Sequence, residues 1–249
     1  MYDMLHMSVE ASPGVLDVAI NGVVPIHGTV APEAFDEVVD IYKHQAPIKS
    51  PKDSLYLFAV SGSLGQIQEV LDAENLDQLS PGTETYKGVS LSTGCVAYGG
   101  LKMFRAMRPM LEIVADIPDI SADSPCLFDG MVLGNYTRTA SIAKLWHIDA
   151  LVPKIREEHQ REFLCGYPNG VRTYTGSEID TSGYIDQFGA LPLDVAIKQL
   201  HSSVKDSIQP EDTITLGPGQ VGEIDKFVLH SAPASAGFHG TRPAFRLCI

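Results

Sequence analysis

Basic residues are scarce in this chain: Lys and Arg number 18 against 31 Asp and Glu, and the formal net charge is −13. A protein that grips phosphate backbones needs a basic face, so nucleic acid is not an expected partner. Cysteine is equally thin. Cys95, Cys126, Cys165 and Cys248 are scattered without C-x-x-C spacing. That argues against a disulfide framework and a thiolate zinc site, and it fits reduced thiols in a cytoplasm. No apolar run reaches the roughly 18–20 residues of a membrane span. The first residues lack the basic and apolar regions of a secretory signal. A cytoplasmic protein with no membrane partner is the expectation. Two nucleotide and hydrolase signatures are missing as well. No G-x-S-x-G elbow offers a serine nucleophile, and Gly217-Pro218-Gly219 is not followed by the G-K-[ST] of a phosphate loop.

At 249 residues the chain is long enough for one large domain or two small ones. No linker interrupts it, so one domain over 1–249 is expected, with two textures. In 1–125, β-branched residues around 15–30 suggest an entering strand or two. Pro32-Glu33 opens a helix to about His44, with Phe35, Val38, Val39 and Tyr42 at helical spacing. Residues 54–60 suggest a strand, Ile67, Val70 and Leu71 a second helix, and 82–94 a Gly/Ser/Thr-rich surface loop. Met103, Phe104, Met107, Met110, Leu111 and Val114 predict one helix over 101–117 that backs a sheet, with a kink at Pro109. In 126–249, short β-like runs alternate with turns, at 131–136, 141–149, 161–165, 171–175, 213–216, 225–230 and 243–248. One helix interrupts them at 192–200. The fold expected is mainly β with flanking helices (α+β), a jelly roll backed by the helix-rich first half.

The chemistry gathers in two places. Of eight histidines, only His147 opens an H-x-D tripeptide, within Trp146-His147-Ile148-Asp149. Residues two apart on an extended strand leave the same face, which would set imidazole and carboxylate side by side as two ligands of one metal. His230 follows Asp149 by 81 residues, and Arg242 and Arg246 come 12 and 16 residues later. Two histidines and one carboxylate make the facial triad that suits non-haem Fe(II) and leaves coordination positions open. Two other readings use the same residues. A cupin-type metalloenzyme would keep the cluster without needing an arginine. A non-catalytic jelly-roll binding module would use His147 and Asp149 only as a structural pair.

H-x-D, then His230-Ser231-Ala232-Pro233, then an arginine within R-P-A-F-R-L-C-I resembles the Fe(II)/2-oxoglutarate-dependent dioxygenase superfamily over about residues 130–249. The resemblance implies a double-stranded β-helix (a cupin-like jelly roll) in which His147, Asp149 and His230 are the iron ligands and the catalytic centre. A late arginine would bind the distal carboxylate of 2-oxoglutarate, for which a guanidinium fork is suited. Arg246, between Phe245 and Leu247, has the better strand context and is favoured; Arg242 shares its parity and stays the alternative. Gly134-Asn135-Tyr136-Thr137-Arg138 resembles a strand that contacts the co-substrate, so Asn135 and Tyr136 are further candidates, with Arg172, Thr173 and Tyr174 as pocket wall. Asp149 occupies the position that the family's halogenases leave without a carboxylate, which favours oxygenation. The implied cofactors are Fe(II), 2-oxoglutarate as co-substrate and O2. The implied reaction hydroxylates, desaturates or cyclises a small molecule, such as an amino acid or natural-product intermediate, and releases succinate and CO2. The substrate's identity and the oligomeric state are not legible in the chain.

Overall fold

The computed structural model describes residues 24–45, 55–134, 144–176, 178–233 and 240–249. Among them the chain forms β1 (Ile26–Thr29), α1 (Pro32–Gln45), β2 (Leu55–Ser63), α2 (Leu64–Asp72), β3 (Thr85–Tyr86), β4 (Val89–Leu91), α3 (Thr93–Ala97), α4 (Gly100–Ala106), α5 (Arg108–Ala115) and β5 (Pro125–Leu133). Then follow α6 (Pro153–Glu158), β6 (Arg161–Gly166), β7 (Arg172–Tyr174), α7 (Tyr184–Phe188), α8 (Leu193–Val204), β8 (Thr213–Thr215), β9 (Gln220–Asp225), β10 (His230–Ser231) and β11 (Arg242–Cys248). The architecture is mixed: an eight-stranded sheet in the order β1-β9-β6-β11-β5-β2-β4-β3, and a three-stranded sheet in the order β10-β7-β8. Every pairing between neighbouring strands is antiparallel. No described helix is long and apolar enough to cross a membrane.

The helices form where local chemistry favours them. Pro32 and Glu33 open α1, and Lys43 and His44 close it, so charge complements the helix dipole at both ends. Ser63 caps α2 with a capping box: its hydroxyl accepts from the Gln66 N–H while the Gln66 side chain accepts from the Ser63 N–H. The single kinked helix expected over 101–117 is instead two helices, α4 and α5, which break at Met107. The reason is Pro109: it has no N–H to donate back to the carbonyl of Arg105, and its ring would clash there. It is tolerated because it falls in the first turn of α5. The loop expected over 82–94 contains the short hairpin β3–β4. The first half thus supplies strands as well as helices, and nine-residue β2 pairs along its whole length with β5.

Alternation along the central strands gives the large sheet two unlike faces. Phe58 (β2), Phe128 (β5) and Phe245 (β11) turn to the helices and meet Phe104 of α4, with ring centroids 4.5–6.2 Å apart. Such pairs add to area burial because ring edges meet ring faces. Gly130 sits beneath this cluster. A Cβ there would lie 2.7 Å from Phe58 Cζ and 2.8 Å from Phe245 Cε1, so only glycine lets the two rings close over the strand. The opposite face carries Asp129, Glu162, Leu164, Arg242, Ala244 and Arg246, at the intervening positions of β5, β6 and β11. Phe104→Ala is expected to destabilise the fold by about 3–5 kcal/mol, the usual range for a buried phenylalanine; urea unfolding would measure it.

Candidate metal centre

The segment expected to run as a strand over 141–149 does not do so over its described residues, 144–149. Among its described residues His147 makes an isolated bridge, and Asp149 opens a 3-10 turn to Leu151. Ile148 between them is nonetheless extended (φ −120°, ψ 140°), so His147 and Asp149 still leave the same side while Ile148 enters the apolar cluster of Trp146, Leu151 and Leu200. The strand expected over 225–230 is also interrupted. β9 ends at Asp225, whose carboxylate accepts from the Phe227 N–H at 2.8 Å while its carbonyl accepts from the Val228 N–H at 2.9 Å. Aspartate commonly turns a chain by bonding its own backbone two residues on, so Asp225 itself was the available signal. The turn delivers His230 to a fresh strand, β10.

His147 and His230 are direct partners across the bridge. The His147 N–H donates to the His230 carbonyl at 3.0 Å and the His230 N–H donates back at 2.9 Å, which brings the rings to 4.3 Å between centroids. Each ring is held from behind. Nδ1 of His147 donates to the Leu145 carbonyl at 2.7 Å, and Nδ1 of His230 to the Val228 carbonyl at 3.0 Å. A carbonyl can only accept, so both rings carry their proton on Nδ1 and offer the Nε2 lone pair to the site. These Nε2 atoms face Asp149 at 3.9 Å (His147, Oδ1) and 3.4 Å (His230, Oδ2). The three candidate ligand atoms lie within 4.8 Å of one another. Burial, with the neighbouring His230 charge, lowers His147 to about 4, so it is a neutral ligand at physiological pH. Burial would raise Asp149, but Arg246 and then His230 more than offset this and hold it well below the usual range.

The donor set therefore fits a divalent metal: two imidazoles held from behind at Nδ1 so that Nε2 faces the site, and one ionised carboxylate, on a common wall. The site lines a cavity of about 350 Å³ whose wall is largely apolar, with Leu57, Met131, Leu193 and Ile197 away from the ligands.

Both candidate arginines reach this cavity, in different ways. Arg246 is bound to carboxylates: its Nε donates to Asp129 at 3.2 Å, its Nη2 contacts Asp129 Oδ2, and its Nη1 contacts Asp149 Oδ2. Arg242 is fully buried, and its Nη2 donates to the carbonyls of Gly170 (2.7 Å) and Asn169 (3.2 Å). A Cβ on Gly166 would come within 2.8 Å of that nitrogen, so the glycine makes room for the guanidinium. Asn135 and Tyr136 lie outside the described residues. Arg172 stacks on Trp146 at 4.3 Å and donates to the Ser231 hydroxyl at 3.1 Å, bracing β7 against β10. Thr173 and Tyr174 are buried beside it.

Two site residues escaped the sequence reading, Asp129 and Glu162. Asp129 is a lone acid inside an otherwise apolar strand, and that contrast was the signal; Glu162 follows Arg161 at the start of β6 and reads as the end of a charged stretch. Glu162 is fully buried, and its carboxyl lies beside that of Asp149. Burial first, and the nearby Asp149 charge second, push it up to about 11, so it is protonated.

No protein-family model matches the chain, and no curated protein matches it. Solved structures give distant likenesses. AviO1 from Streptomyces viridochromogenes Tue57 is 11% identical, with a TM-score of 0.41, over 92% of this chain and 90% of its own. IDO from Bacillus thuringiensis is 10% identical, with a TM-score of 0.39, over 87% and 83%. EvdO2 from Micromonospora carbonacea var. aurantiaca, complexed with 2-oxoglutarate, is 15% identical, with a TM-score of 0.35, over 91% and 92%. These likenesses are too remote to carry an argument about this chain.

Glu162 generates a pH prediction. Its folded-state value lies above the unfolded one, so its penalty is absent at acid pH and grows as rising pH ionises the unfolded chain. Glu162→Gln is expected to raise the melting temperature of metal-free protein more at pH 8 than at pH 5; thermal melts of both proteins across that range would test it.

Proposed function

We propose that this chain is a non-haem Fe(II)- and 2-oxoglutarate-dependent oxygenase acting on a small molecule. The observation that carries the reading is the convergence of His147, Asp149 and His230, with both imidazoles locked by backbone carbonyls to present Nε2. A buried arginine lines the same cavity. On this reading the two sheets are the walls of a jelly roll. Asp129, Leu164 and Ala244 come from the larger wall, and Val171, His230 and Ser231 from the smaller wall or its edge. Residues 1–125 support the larger wall.

The triad residues would hold the iron, which with 2-oxoglutarate and O2 supplies C–H oxidation with release of succinate and CO2. Arg242 is the better anchor for the distal carboxylate of 2-oxoglutarate, a revision of the preference for Arg246. Arg246 already spends its fork on Asp129 and Asp149, whereas Arg242 stands four residues earlier on the same face of β11 and lines the cavity. A buried guanidinium is always charged and can meet a carboxylate with two parallel hydrogen bonds. The apolar wall around Leu57, Met131, Leu193 and Ile197 would take a hydrocarbon portion of the substrate and keep water from the site. No nucleic acid or membrane surface is part of this function, and a cytoplasmic setting would supply the reduced iron and 2-oxoglutarate.

Anaerobic titration of the apoprotein with Fe(II) and then 2-oxoglutarate is expected to produce the weak visible band of the chelate. Asp149→Ala should abolish it. Arg242→Gln should weaken 2-oxoglutarate binding by roughly 10- to 100-fold, which corresponds to the loss of about 1.5–3 kcal/mol from charged hydrogen bonds. Iron binding without any response to 2-oxoglutarate would indicate a metalloenzyme of another class. A wild-type protein that binds no iron would end the metal reading altogether.

A further inference from the structure

We infer that Arg246 and Asp129 form a carboxylate–guanidinium clamp that positions the metal-ligating Asp149, a role distinct from co-substrate binding. The inference rests on the metal reading of His147, Asp149 and His230. Three observations carry it.

The first is register. Arg246 and Asp129 are direct partners on β11 and β5, and both stand on the cavity face. Facing residues on adjacent antiparallel strands keep their Cβ atoms about 4.5–5.5 Å apart, so the backbone itself presents the two side chains to each other. Arg246 is also paired with Leu164 on its other side, so β11 is fixed from both edges at this position.

The second is the use of the fork. One guanidinium spans two acids, with Nε and Nη2 on Asp129 and Nη1 on Asp149 Oδ2. Planar geometry then ties the orientation of Asp149, which sits on an irregular turn, to a rigid strand of the large sheet. Arg246 meets Oδ2, the oxygen that also faces His230 Nε2 at 3.4 Å, while Oδ1 faces His147 Nε2 at 3.9 Å.

The third is charge. A lone arginine beside a divalent cation would repel it, and a lone aspartate on this wall would be a second, competing ligand. Paired, the two offset each other's charge while the guanidinium contacts Asp149 Oδ2. Partners that orient a metal ligand typically alter metal affinity by about 10- to 100-fold when removed.

The test uses the whole chain, with Mn(II) as an air-stable probe read by calorimetry and Co(II) read by its visible spectrum. Asp129→Asn and Arg246→Gln are each expected to weaken Mn(II) binding by about 10-fold or more and to change the Co(II) spectrum. At saturating Mn(II), their 2-oxoglutarate affinity should stay within about threefold of wild type, a change of roughly 0.7 kcal/mol. Arg242→Gln should do the reverse. Arg246→Lys, which keeps the charge but loses the fork, should recover only part of the metal affinity. It also serves as the measurement if Asp129→Asn fails to fold. The inference is overturned if Arg246→Gln leaves Mn(II) affinity unchanged and abolishes 2-oxoglutarate binding, or if Asp129→Asn leaves both Mn(II) affinity and the Co(II) spectrum as in wild type. Failure of wild type to bind either metal would instead strike the proposed function on which the clamp depends.

Discussion

The reciprocal backbone bonding of His147 and His230 is the constraint on which the rest of the site depends. Two segments remote in sequence exchange both N–H···O bonds, and this sets the two side chains adjacent. The neighbouring chain is stapled around that pair. The Ala150 N–H donates to the Lys226 carbonyl at 3.0 Å. The buried Lys226 ammonium donates to the carbonyls of Arg156 (2.7 Å) and His159 (2.9 Å), which are acceptors at the end of α6 with few other partners. One lysine therefore satisfies a helix end and locks the turn before His230 to the turn after Asp149. The approach of the two imidazoles follows from these backbone bonds.

The large sheet lets the same strands do two opposed jobs. One face contributes phenylalanines to a dense aromatic cluster and supplies the apolar burial that holds the fold together. The other face carries charge at low dielectric, where an unpaired ion is costly. The chain meets that cost by pairing Arg246 with two carboxylates, by leaving Glu162 protonated, and by holding His147 neutral toward the cavity. Rigidity on the aromatic side gives the polar side fixed positions to work from.

Much of this was legible in the sequence, and the parts that were not have physical causes. β6, β7, β8 and β11 fall where short β-branched and aromatic runs place them, and α1, α2 and α8 where caps and helical spacing place them. The nearness of His147 and Asp149 could be read because H-x-D encodes a shared face, and that face held even where the strand did not. Three things required the third dimension. Pro109 marks a helix start here, and in isolation it reads equally as a kink. Asp225 turns the chain inside what looks like a continuous strand. The surroundings of Arg246 depend on Asp129 and Glu162, acids whose closeness to it only the pairing of β5, β6 and β11 reveals.

Pairing on both edges of β11 also bears on how such a protein can change over generations. Arg242, Ala244 and Arg246 face the cavity only because seven consecutive residues of β11 are matched to β5 and five of them to β6. Insertion or loss of one codon within this strand would turn every following side chain over, sending arginine into the aromatic cluster and phenylalanine into the cavity. Substitution can retune this wall in place, one alternate residue at a time. Length variation has to be absorbed at the strand's ends, so related chains should differ in the spacing between His230 and Arg242 far more readily than between Arg242 and Arg246.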